Sequence, residues 1–318
     1  MIMLNIRQIQ PYELAAFAAI GNHAEEAVLV QSYLEKMIGL GSIRLEWCYV
    51  IEEDGHLCGR IAFWTMPKVG KPLAMVLLEL PWDQENYISF GTTLLEKTLP
   101  IMKTYGAVNI EHVLDTPPVN PQFQRHAEKR MNFLSHLGFH EIRETKRFEW
   151  QVDPISATAS TRSLSFLPLS EAGEDAFVEA IMKVSALTLD QRINDERNEV
   201  GARQHASELF EELKEMEYEP DWWQLAYDAA GQLVGFVMPA KAPAFSTIAY
   251  IGVVPEQRGK GYIDSLLNQG TSLLLAAGES LIRADTDVSN FPMAQAFLRS
   301  GYKQFSTRKE YSLKLDDH

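Results

Sequence analysis

Cysteine is nearly absent from this chain: Cys48 and Cys58 are the only two among 318 residues, too few for a disulfide framework or a four-thiolate zinc site. A reducing compartment is therefore expected. Positive charge is also scarce, with 29 Lys and Arg against 43 Asp and Glu and a net charge of −14. That balance disfavours non-specific binding to nucleic acid or to an anionic membrane surface. Long apolar runs are missing too. No window reaches the roughly 18 apolar residues of a membrane span, and the opening MIMLNIRQIQPYEL has no apolar stretch of signal-peptide length. The expectation is a soluble, cytoplasmic protein with no membrane and no nucleic-acid partner. There is no GxSxG elbow, and His140-Glu141-Ile142-Arg143-Glu144 departs from HExxH at its last residue. Gly138 is expected to end a helix between His136 and His140, so these two do not share the face that a helical metal pair requires. No metal is implied.

What is present is a globular composition, 46% hydrophobic and 23% charged, in a length that suits two domains of about 100 to 200 residues. The chain also repeats itself. WCYVIEEDGHLCGRIAF from Trp47 lies on WQLAYDAAGQLVGFVM from Trp223 at an offset of 176, so that Trp47, Gly55, Leu57 and Gly59 meet Trp223, Gly231, Leu233 and Gly235. Each stretch has apolar runs on both sides of a turn signal and reads as a β-hairpin. With a two-residue turn at Asp54-Gly55, Cys48 is expected opposite Ile61 and Cys58 opposite Ile51. The two cysteines then face opposite ways, against a disulfide between them.

At an offset of 172, Leu94, Leu95, Gly106 and Ile110 meet Leu266, Leu267, Gly278 and Ile282, a helix followed by a strand in both copies. At 163, Gly138-Phe139, Lys146 and Phe148 meet Gly301-Tyr302, Lys309 and Tyr311. The fall in offset implies nine extra residues in copy one, placed in the Pro-rich TPPVNPQ at Thr116 to Gln122. Between the copies lies the small-polar run DPISATAST, Asp153 to Thr161, of the kind that links domains. The boundary is placed near Ser156, giving domains 1–155 and 156–318.

In copy two, the strand TIAYIGVV meets Pro255 and then EQRGKGYIDSLLNQG, a basic, glycine-bearing turn that opens into a helix. Such a turn presents free N–H groups and a helix dipole to an anion. Arg258 and Lys260 add positive charge, and Gly259 and Gly261 let the backbone come close. A phosphate or pyrophosphate is the expected guest. The spacing fits neither GxGxxG nor GxxxxGK[ST].

Val253-Val254-Pro255-Glu256-Gln257-Arg258-Gly259-Lys260-Gly261 closely resembles the V-x-P-x-x-R-G-x-G-type loop of the GNAT superfamily of acyl-CoA-dependent N-acyltransferases. SLIRADT, Asn290, the helix PMAQAFLRS and Gly301-Tyr302 follow in the order of that family's next block. Through the repeat the resemblance reaches copy one, and the chain is similar to a tandem GNAT protein. The fold that the resemblance implies is α/β (α+β), two GNAT-like domains, each a mixed twisted sheet flanked by helices. It implies acetyl-CoA as acyl donor and a primary amine of a small molecule or peptide as acceptor. No feature specifies an oligomeric state. The resemblance puts pyrophosphate on the amides of Arg258, Gly259, Lys260, Gly261, Tyr262 and Ile263. It puts pantetheine on the main chain of Ile251 and Val253, next to Val254, with the Val253 N–H polarising the thioester carbonyl. Asn290 matches the family's cofactor-contacting asparagine.

Three departures stand out. Ile263 stands where the family has Gly or Ala, and Phe297 stands where a tyrosine often protonates the leaving thiolate. Tyr250, Tyr262, Tyr302 or water are the substitutes. In copy one the loop positions are Gln84-Glu85-Asn86-Tyr87-Ile88-Ser89, with no glycine, so that copy is expected to bind no CoA. An amine must lose a proton to attack a thioester. Asp285 and Asp287, two apart near the end of SLIRADTD, point to one face, and their repulsion would raise one pKa; Asp287 is alternatively a cap of the next helix. Tyr250 is the further candidate for the catalytic set. The charged stretch from Leu187 to Trp223, with a helix near Ala206 to Met216, reads foremost as a solvated face. Its Asp190, Asp195, Glu196 and Glu199 alternatively draw in a cationic amine. The other functional reading, suggested by Phe297, Ile263 and the blank loop of copy one, is a non-catalytic acyl-CoA-binding or interaction protein.

Overall fold

The computed structural model describes residues 4–151 and 162–315. Its strands are β1 (Leu4–Gln8), β2 (Ile43–Glu53), β3 (His56–Trp64), β4 (Ala74–Glu79), β5 (Asn109–Thr116), β6 (His140–Gln151), β7 (Ser165–Pro168), β8 (Gln224–Tyr227), β9 (Leu233–Lys241), β10 (Ser246–Val253), β11 (Leu281–Asp287) and β12 (Lys303–Lys314). The helices are α1 (Leu14–Ala19), α2 (Ala24–Gly39), α3 (Tyr87–Thr104), α4 (Ala127–His136), α5 (Leu169–Ala172), α6 (Glu174–Val184), α7 (Gln191–Val200), α8 (Ala202–Lys214), α9 (Tyr262–Ala276) and α10 (Phe291–Arg299). No helix among the described residues is long and apolar enough to cross a membrane.

The chain divides into two compact units, Met1–Ile142 with Ser306–His318, and Arg143–Phe305. The strand order is β1-β2-β3-β4-β5-β12 in the first and β6-β11-β10-β9-β8-β7 in the second. Each sheet is antiparallel except for one parallel pair, β4 with β5 and β10 with β11. Both are layered between helices. In the first unit Trp47, Tyr49 and Phe63 pack with α3 and α4, while Cys48, Val50 and Ala62 meet α1 and α2 on the other face. In the second, Leu266, Leu267 and Leu274 of α9 and Phe297 of α10 cover one face, and Phe177, Phe210 and Trp223 fill the other beneath α6 and α8. The buried positions of α9 recur at helical spacing, so the apolar stripe of the sequence is the stripe that packs.

The anticipated boundary at Ser156 and the run Asp153–Thr161 lie outside the described residues. The compact units also differ from a single cut there, because each copy's last strand is traded. β6 pairs with β11, and β12 pairs with β5. Phe148 of β6 is thereby buried in the second unit's core and Tyr311 of β12 in the first's. The repeat pairs these two residues as equivalents, and strands with equivalent apolar faces fit either core.

The cysteine register also needs correction. Cys48 lies opposite Ala62 rather than Ile61, because a bulge between Ile51 and Glu52 takes Cys58 out of simple pairing. Cys48 nevertheless packs on one side of the sheet and Cys58 on the other, and both are free thiols.

Candidate functional site

The second unit's site begins with a bulge. Between Ile248 and Tyr250 the β10 register slips by one residue against β9, which bends the strand and strengthens its twist. β10 and β11 consequently pair only at Ser246 with Ile282 and Thr247 with Arg283. Beyond that they part, and residues Ile248 to Val253 line a cavity of about 550 Å³. Val254 N–H donates to Val234 O on the β9 side. By the alternation of an antiparallel ladder, Val253 and Ile251 turn their main-chain groups towards the gap. Gly252 between them has no room for a side chain, since a Cβ would stand 2.2 Å from Val184 Cγ1 of α6.

The glycine turn closes one end of this cavity. Gly261 caps α9 with φ +80°, in the left-handed region, and Gly259, Gly261, Tyr262 and Ile263 line the cavity. The two basic residues divide their work. Arg258 also lines the cavity, but its guanidinium is committed to main chain: it donates to Val253 O, Val184 O, Ala186 O and Leu187 O, tying the loop to the end of α6. Lys260 donates to Gln257 Oε1. Arg162, which sequence reading passed over, stacks over Tyr262, and its Nε is 3.7 Å from where a Cβ of Gly261 would be. Asn290 Oδ1 accepts from Met293 N and caps α10 while lining the cavity. Phe297 also lines it, fixed by stacking on Phe148 and an edge contact with Tyr302.

The candidate proton-transfer groups separate clearly. Tyr250 lines the cavity, and burial, helped by Asp190, holds its phenol protonated well above the usual tyrosine range. Tyr302 is buried with its hydroxyl on Thr271 Oγ1, 2.7 Å away, and does not line the cavity. Asp285 lines the cavity and meets Arg147 at 3.3 Å rather than a second carboxylate. Asp287 is a turn residue and does not cap the following helix, a place that Asn290 takes: it accepts from Ser289 N at 2.9 Å, from the Ser289 hydroxyl, and from Gln191 N at 3.2 Å. The pairing of the two aspartates anticipated from their spacing is replaced by these partners, because β11 ends in a turn at Asp287.

The charged stretch is a cavity wall as well as a solvated face. Asp190 is buried, caps α7 through Ile193 N, and pairs with Arg143 at 2.5 Å. Arg192, Glu196 and Glu212 also line the cavity. Its helix is α8, starting at Ala202, earlier than its sequence placement. Glu212 lines the cavity and is open to solvent. Desolvation raises its pKa, and Glu196 adds to the rise while Arg192 opposes it. Sequence reading did not single it out. The signal was its place on the edge of the stripe that buries Ala206, Phe210 and Leu213.

In the first unit the corresponding gap is filled. β4 and β5 pair only at Ala74 with Glu111, and the Pro-rich insertion folds into the space beyond. Gln122 Oε1 accepts from Leu77 N at 3.0 Å on β4. Gln124 accepts from Asp115 N and donates to Val113 O on β5. Arg130, the repeat equivalent of the cavity-lining Met293, donates to Leu78 O and pairs with Glu79 in the interior. His112 contacts Met75 O, and burial pushes its pKa down to about 4.

Residues 189–302 match the family described as Acetyltransferase (GNAT) family. The mycothiol acetyltransferase of Pseudarthrobacter chlorophenolicus is 29% identical over 105 residues, 31% of this chain and 32% of that protein. The chain thus matches about a third of that relative's length. A GCN5-related N-acetyltransferase from Sphaerobacter thermophilus superposes with a TM-score of 0.61 at 14% identity, covering 98% of this chain and 95% of the other. A tandem GNAT protein from the clavulanic acid biosynthesis pathway does so with a TM-score of 0.50 at 14% identity, over 100% of both chains. The GNAT family match is thus confined to residues 189–302 of the second unit, and the chain as a whole has the fold of a tandem GNAT protein.

Proposed function

We propose that the second unit transfers an acetyl group from acetyl-CoA to the primary amine of a small molecule or peptide by direct attack. The observation that carries this is one cavity that runs from the glycine turn, past the free edge of β10, to a carboxylate-bearing wall. Acetyl-CoA, when bound, supplies a thioester carbonyl and a thiolate leaving group. The amides of the Gly259 to Ile263 turn, with Lys260 and Arg162 beside them, suit its pyrophosphate. The gap-facing main chain of Ile251 and Val253 suits its pantetheine arm, and the Val253 N–H is directed to polarise a carbonyl held there. Asn290 and Phe297 support the wall, and Arg258 braces the turn rather than gripping phosphate.

Tyr250, kept protonated, gives a proton to the departing sulfur, the part that Phe297 lacks the group to play. Glu212, its pKa raised, takes the proton that the acceptor ammonium must lose. Asp285 remains a second carboxylate in the same cavity, whereas the bonds of Asp287 suit it to hold the β11 turn. Acetyl transfer is also the activity named for the mycothiol acetyltransferase relative. The first unit serves as a scaffold without CoA.

The test is a turnover assay that follows thiol release from acetyl-CoA across a broad amine panel, alongside calorimetric titration of acetyl-CoA. Saturation at one site per chain with amine-dependent thiol release is expected. Binding of acetyl-CoA without release on any amine would overturn the catalytic reading in favour of an acyl-CoA-binding protein.

A further inference from the structure

Beside the main cavity lies a second pocket of about 300 Å³, lined by Glu196, Glu199, Val200, His205, Glu208, Leu209 and Glu212. Glu196, Leu209 and Glu212 belong to both, so the pocket continues from the wall where the acceptor's proton is removed. Four carboxylates meet there. The cations near them are committed: Arg192 pairs with Glu196 at 2.8 Å, and Arg197 donates to Met182 O and Ser185 Oγ. Glu208 accepts from Gln204. The excess of negative charge is therefore uncompensated by protein.

His205 adds an independent observation. It is 3% exposed, and neither ring nitrogen has a hydrogen-bond partner. Its Nε2 is directed at Glu196 Oε2, 3.7 Å away, on the pocket wall. A buried polar group left unpaired is destabilising, a cost that a bound donor would offset. Burial lowers the imidazole's pKa, so at neutral pH one nitrogen offers a lone pair to an N–H. The described residues contain no group of three or more acidic, histidine or cysteine side chains placed to hold a metal ion. The arrangement is spread out, with Val200 and Leu209 between the charges, and suits an organic cation on a methylene chain.

Resting on the acetyl-transfer reading, we infer that the acceptor is a di- or polyamine whose second protonated nitrogen sits in this acidic pocket against Glu199, Glu208 and His205. Charge complementarity of this kind gives specificity between partners that share the reacting group. A monoamine would fill only the main cavity.

The experiment is calorimetric titration of 1,4-diaminobutane and of 1-aminobutane into the full chain saturated with CoA. The diamine is expected to bind at least about tenfold more tightly, equivalent to roughly 1.4 kcal/mol, and the combined Glu199→Gln and Glu208→Gln substitutions should bring the two amines to the same affinity. Equal affinities in the parent protein, or a diamine advantage that survives both substitutions, would overturn the inference. Zn²⁺ displacing the diamine at micromolar concentration would overturn it too. Turnover is read separately. Tight diamine binding without acetylation sinks the acetyl-transfer reading alone, and equal binding with acetylation of both amines sinks the second-cation pocket alone.

Discussion

The two halves start from one plan and end in opposite states. Both bend the strand that begins the parallel pair, and both let that pair diverge after one or two residue pairs. The second unit leaves the divergence open, with Ile248 to Val253 along a cavity. The first closes it from within, using Gln122, Gln124, His112 and Arg130 to meet the main chain of β4 and β5. A splayed parallel pair exposes backbone donors and acceptors that must be satisfied somehow. One copy satisfies them with its own side chains, and the other leaves them along an open cavity. The first copy, which has no glycine turn, is also the one that carries the gap-filling insertion.

The comparison can be broken at four points. Gly261→Asp should weaken acetyl-CoA binding by at least about a hundredfold, because it places a carboxylate against pyrophosphate and forces a non-glycine residue to φ +80°. Retained affinity in a folded variant, read by calorimetry, would remove the loop from the site. Arg130→Met gives the first unit the residue of the second. It strands Glu79 and the Leu78 carbonyl in the interior and should cost about 3 to 5 kcal/mol, measured by denaturant unfolding, without creating a second CoA site.

Glu212→Gln sharpens the comparison on the open side. The working base is the deprotonated form, so activity should fall as pH drops through the raised pKa of Glu212. The substitution should lower kcat/KM by roughly a hundredfold and erase that acidic limb from the pH profile. An unchanged limb would assign the base elsewhere, with Asp285 next to be tested. Tyr250→Phe has the smallest expected effect, about tenfold in kcat with little change in the KM for acetyl-CoA. A loss confined to KM would make Tyr250 a packing residue against Phe236.

Much of this was legible in the residues. The glycine-bearing turn, the strand before it and the helix after it fall where the spacing puts them. So do the paired helix stops at Gly106 and Gly278, because apolar periodicity and turn chemistry act locally. Side-chain commitments were less legible. Arg258 reads as a phosphate ligand until three carbonyls at the end of α6 are seen around it. Asp287 reads as half of an acidic pair until its turn is seen. Glu212 and His205 sit in a run that looks merely hydrophilic.

The sequence by itself determined that the chain holds two copies of one α/β plan, and which copy carries the basic, glycine-bearing turn. Both follow from short-range patterns in apolar spacing, glycine and proline. Only the tertiary structure decided which core each closing strand joins, since β6 and β12 carry equivalent apolar faces. It alone decided that the first gap is plugged by residues far from their partners in sequence, as Arg130 is from Leu78 at a separation of 52. Such choices are settled by long-range satisfaction of buried polar groups, which no local window of sequence contains.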